Sequence, residues 1–185
     1  MGAGDSTMQD HSDIFTDLKD FLEFADEDVE NLRALAPIFA AHGGEITDHF
    51  YEKLRAVPET AALIAGRVDA LKRTHGVWLG ELFAGSYGDD YFQRRWAIGL
   101  THVRVNVPPH YVEAVISFLR VESELLIARE LVEAELVAKR HASVIKILDL
   151  DLMIINLAYG AERIDRLCNF TGMSKVLLQR CIDRS

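Results

Sequence analysis

Seven histidines are scattered through the chain, and one stands where a histidine can do chemistry. His102 lies near the end of an apolar helical stretch, in WAIGLTHVRVNVPPHY over residues 96–111. The helix must stop soon after it. Val107 precedes a proline and is pushed out of the α region, and Pro108–Pro109 cannot continue a hydrogen-bonded ladder. Proline fits the first turn of a helix, so a second helix is expected to begin at Pro108. An imidazole held at a helix end beside an apolar pocket can bind a metal or haem iron. On spacing alone, a core histidine with its hydrogen bonds satisfied is the commoner outcome.

Two further residues stand on apolar faces. Val68, Leu71, His75, Trp78 and Leu82 form one helical stripe, which places His75 on a buried side. Ile46, Phe50 and Leu54 form another, with Tyr51 beside it. By itself Tyr51 is ordinary core. His75 has three open placements: a core histidine bonded to a backbone carbonyl, a partly exposed residue beside a pocket, or a second axial ligand to a ferric iron.

The elements that must position these residues are helices. Apolar residues recur at three and four, and alternation of strand length is absent. The spacing predicts helices over residues 12–23, 27–35, from beyond Pro37 to 55, 67–83, 89–105, 108–131 and 133–168, with a further piece after Gly172. Asp26 is the expected cap of the second, Gly43–Gly44 an expected kink, and Pro58 the start of a short turn. Residues 1–11 are expected to fray, 12–168 to form one domain, and 169–185 to be a helical extension or the start of a linker.

Composition narrows the function. The 185 residues are 49% hydrophobic, enough for one sizeable core. Twenty Lys and Arg against 29 Asp and Glu give a net charge of −9, which argues against nonspecific nucleic-acid binding. The most apolar run, IKILDLDLMIINLAYGA, carries Lys146, Asp149 and Asp151, so no membrane span is expected. The N-terminus has no signal-peptide core, and its loose lipidation match through Gly2 and Ser6 is discounted. Only Cys168 and Cys181 are present, with no C-x-x-C pair or disulfide framework, which suits a cytoplasmic protein.

The stretch IGLTHVRVNVPPHYV resembles the proximal segment of the globin-coupled sensors, approximately I-G-x-x-H-x-R-I-G-L-P-P-x-W-Y. Ile98, Gly99, His102, Arg104, Pro108 and Pro109 stand where that pattern puts them. Val105, Asn106 and Val107 replace its I-G-L, and Tyr111 falls on its tryptophan. FYEKL is similar to the family's F-Y-x-x-L and LKRT to its L-K-x-T.

The resemblance implies an all-α, globin-like sensor domain with a short first helix and long last two helices. It implies haem b held by His102, with Tyr51 and Thr74 as distal hydrogen-bond donors to oxygen and Leu71 on the same side. His75, Trp78, Ile98 and Tyr111 complete the expected pocket. A helix turns by about 100° per residue, so Thr74 and His75 cannot both point at the iron.

The expected function is reversible oxygen sensing, with CO and NO as further candidate ligands, and no catalysis in this chain. A haem enzyme of dioxygenase or peroxidase type and a cofactor-free dimerisation module are the alternatives. The resemblance also implies a homodimer through the last two helices and an output transmitter of unknown kind. The stripe His141, Val144, Leu148, Leu152, Ile155 and Tyr159, with apolar residues on more than one side of 108–131, are the expected interface.

Overall fold

The computed structural model describes residues 13–182, and every regular element among them is a helix. The frayed tail expected over 1–11 lies outside the described residues. The order is α1 (residues 13–21), α2 (Asp26–Ala56), α3 (Pro58–Ile64), α4 (Val68–Leu82), α5 (Asp89–Arg104), α6 (Pro109–Glu130), α7 (Ala134–Thr171) and α8 (Lys175–Ile182). No helix among the described residues is long and apolar enough to cross a membrane.

One expected break is absent. Pro37 lies inside α2 rather than between two helices. Its ring removes one backbone donor, but buried Leu32, Leu35, Phe39, Ile46 and Phe50 hold one continuous face of α2 against the core. The cap is Ala25, not Asp26; Asp28 reaches back and accepts the Ala25 N–H at 3.0 Å. Gly43 serves a close approach: a Cβ there would meet Leu79 Cδ2 of α4 at 2.7 Å, while Gly44 has open space. Pro58 opens the short helix α3 rather than a turn. α7 continues past residue 168 and ends at Gly172, whose φ of 74° is the left-handed cap that glycine adopts without strain.

The main core joins Phe15 of α1, Leu32 and Leu35 of α2, Leu82 of α4, Phe92 of α5, Ile127 of α6 and Ile147 of α7. Inside it sits a charged group. Arg95 and Asp151 are both 0% exposed. Arg95 Nε and Trp78 Nε1 each donate to Asp151 Oδ2 at 2.8 Å, and the Tyr91 hydroxyl donates to Oδ1. Arg95 also donates to Glu81 and stacks 4.1 Å from the Tyr91 ring centre. This cluster ties α4, α5 and α7 together.

The α7 stripe expected to face a partner is used within the chain. Val144, Leu148, Ile155 and Tyr159 are buried, Leu152 packs against the core, and His141 Nε2 bonds to the Arg120 carbonyl at 3.1 Å. An amphipathic stripe cannot say which neighbour covers it, and here α5 and α6 do. On α6 the surplus is real: Val121 and Leu125 remain 53% and 61% exposed.

Candidate functional site

His102 occupies the last turn of α5, and the chain after it closes that helix tightly. Asn106 takes a φ of 57°. The Val107 N–H donates to the His102 carbonyl at 2.9 Å, and the Asn106 N–H to the Val103 carbonyl at 3.2 Å. This pair of bonds with a left-handed residue is a Schellman cap, and the His102 carbonyl accepts the bond that spans more residues. Asparagine tolerates the left-handed region, which explains why Asn106 can stand in a glycine's place. α6 then starts at Pro109, one residue later than expected, with Pro108 as its cap.

α5 is held hard against α7. A Cβ on Gly99 would lie 2.6 Å from the Ala158 Cβ and 2.9 Å from the Ile155 carbonyl oxygen. The Tyr159 hydroxyl donates to the Val107 carbonyl at 2.8 Å, so α7 also grips the loop after His102. Val103, Val112, Ile155 and Tyr159 form a small cluster of their own, with Ile98 packed on it. Burial lowers the His102 pKa and keeps the imidazole neutral, and its Nδ1 is buried without a partner.

A second small cluster gathers Phe50, Tyr51 and Ile64, with Leu71 and Val68 packed on it. His75 joins it: its ring centre lies 5.0 Å from Phe50 and 6.2 Å from Tyr51. Burial pushes the His75 pKa down to about 4, so the ring is neutral at physiological pH. Its Nδ1 is 2.9 Å from Thr47 Oγ1, and its Nε2 is buried with no partner. Tyr51 is 5% exposed and its pKa is pushed up to about 12 by burial, so the phenol keeps its proton. That hydroxyl makes no hydrogen bond among the described residues.

The structure brings Tyr51, Leu71 and His75 together but not Thr74. Thr74 is exposed, and its hydroxyl donates to the Ala70 carbonyl of its own helix at 3.1 Å. Of the two adjacent residues, the turn of α4 points His75 inward and Thr74 outward. Trp78 stacks 5.2 Å from His75 and anchors its indole N–H on Asp151. The Tyr111 hydroxyl donates to Glu59 at the surface, joining α6 to α3.

Three side chains escaped the sequence reading: Thr47, Arg95 and Asp151. Thr47 left a faint signal, one turn before Tyr51 on the same helix. Arg95 and Asp151 left none, because their pairing spans 56 residues. Two surface clefts, one between α1, α7 and α8 and one where α6 meets α7, are not lined by Tyr51, His75 or His102.

A family model described as Protoglobin matches residues 11–175. The chain belongs to the protoglobin family. Among solved structures this protoglobin is similar to the globin domain of the Geobacter sulfurreducens globin-coupled sensor, with 34% identity and a TM-score of 0.75 over 78% of this chain and 96% of that one. The globin domain of E. coli DosC shares the fold at 21% identity and a TM-score of 0.65, over 78% of this chain and 97% of that one.

A globin fold implies haem binding, and the residues present suit that group. Two neutral, half-buried imidazoles each carry one buried nitrogen without a partner. Each lies by a small apolar cluster that is separate from the main core. A flat apolar cofactor needs such walls, and its iron needs a neutral imidazole.

Proposed function

We propose that this protoglobin is a gas-sensing domain that binds one haem b through His102 and responds to oxygen. The unpartnered Nε2 of His75, beside the neutral His102 at the end of α5, carries the reading. Leaving a buried polar atom unpaired costs about 1–3 kcal/mol, and the bare His75 Nε2 fits a metal that would satisfy it. Haem supplies an iron that binds a diatomic gas reversibly when ferrous.

The protein's own residues do the rest. His102 holds the iron from α5. Tyr51 keeps its proton and has no hydrogen-bond partner among the described residues, so its hydroxyl would be available to donate to a bound gas. Phe50, Ile64 and Leu71 keep water out. His75, with Nε2 unpaired, suits the third of its open placements: it would hold a ferric iron from the side opposite His102.

A sensor needs two arrangements that its ligand favours unequally. Here α5 carries His102 and is gripped by α7, so a change at the iron reaches the long helix directly. Exposed Val121 and Leu125 on α6 supply the surface for a homodimer in the cytoplasm, through which an output transmitter is driven. The chain itself performs no catalysis.

The absorption spectrum of the purified, haem-reconstituted protein tests the reading. A Soret band that shifts on reduction and again on exposure to CO is expected, and His102→Ala should lose haem retention. Stoichiometric haem with an unchanged ferrous spectrum in that variant would refute the ligand assignment.

A further inference from the structure

Thr47 Oγ1 lies 2.9 Å from the Gly43 carbonyl oxygen and 2.9 Å from His75 Nδ1. A hydroxyl has one proton to give. A buried helical threonine commonly gives it to the carbonyl four residues earlier, here Gly43, which can only accept. The Thr47 oxygen then accepts from His75, so Nδ1 carries the ring proton. A neutral imidazole has a single N–H, which leaves Nε2 as a bare lone pair. That is the atom buried without a partner.

We propose that Thr47 is a positioning residue: it fixes His75 as the Nδ1–H tautomer and presents Nε2, unprotonated, to the haem iron. The proposal rests on His75 being a ferric ligand. The backbone supports it. The close approach of Gly43 to Leu79 brings α2 against α4, and one turn along each helix from that contact stand Thr47 and His75. Only such proximity lets a side chain as short as threonine reach the ring. Histidines that bind metals almost always donate their other N–H to an orienting partner. Among the described residues His102 has none, so His75 is the better oriented of the two.

The test has two readouts. In the apoprotein, nitrogen-15 NMR of the His75 ring should show Nδ1 protonated in the wild type and a mixture of tautomers in Thr47→Val. In the ferric reconstituted protein, electron paramagnetic resonance should show a low-spin species with two histidines. Thr47→Val should lower the ratio of low-spin to high-spin haem by roughly tenfold, and Thr47→Ser should preserve it. An Nε2–H tautomer in the wild-type apoprotein overturns the role of Thr47 while leaving His75 a ligand. A ferric wild type with a single histidine overturns His75 as a ligand and the proposal with it. An unchanged tautomer and spin state in Thr47→Val overturns the proposal alone.

Discussion

Two of the buried polar regions are of opposite character. Around Asp151 the donors are in place: Arg95, Tyr91 and Trp78 all point at one carboxylate. Around His75 and His102 nitrogens are left over. Both regions are sheltered from water and both interrupt apolar surface. Only the second asks for something from outside. A satisfied polar cluster fixes how helices sit, whereas an unsatisfied one marks where a ligand belongs.

The comparison is broken most severely at Arg95. Arg95→Met leaves Asp151 as a buried charge missing its counterion, a change that costs about 3–5 kcal/mol. Chemical unfolding of the apoprotein should show that loss, and protein that still folds should retain a histidine-ligated spectrum. A loss below 1 kcal/mol would mean the cluster does not hold α4, α5 and α7 together.

Acid should separate the regions next. The His75 pKa is about 4 in the folded chain against 6.5 unfolded, so the unfolded state takes the proton first. Apoprotein stability is therefore full above about pH 6.5 and falls as the pH drops toward 4, by about 3 kcal/mol in all. His102, also lowered by burial, adds to the same loss. Urea titrations at pH 7 and pH 4.5 measure it, and His75→Phe should flatten the dependence.

Tyr51→Phe removes one donor and little packing. The oxygen dissociation rate should rise by roughly tenfold, equivalent to a bond of about 1.5 kcal/mol, with thermal stability almost unchanged. Stopped-flow release of oxygen reads the first and calorimetry the second. Thr74→Ala should change neither, because its hydroxyl is committed to Ala70. A faster release in that variant would place Thr74 in the pocket after all.

The helix end that carries His102 was legible in the sequence because its signals are local. Pro108–Pro109 end one helix and begin another, and the spacing around His102 lies within a single turn. The burial of Tyr51 was legible from its position beside an apolar row. The choice between Thr74 and His75 was not, because it depends on the phase of α4, which the Gly43–Leu79 contact with α2 sets. Asp151 read as a charge interrupting an apolar run, since nothing nearby announces a partner on α5. The α7 stripe read as a dimer face for the same reason: periodicity gives a buried side but not its neighbour. Pro37 read as a break because its cost is local and the packing that outweighs it is not.

Gly99 against Ala158 has the mechanics of a bearing. The two helices touch so closely that α5 cannot approach α7 further, yet a small-on-small contact offers little resistance to rolling. His102 sits three residues beyond that point, about 4.5 Å along the axis. A pull of about 1 Å on the ring at that radius is a tilt of roughly 13°. The lever is short, so a displacement of about 1 Å at one end would emerge as an angular displacement at the other, and α7, whose 38 residues extend well past the bearing on both sides, is the arm that would carry it.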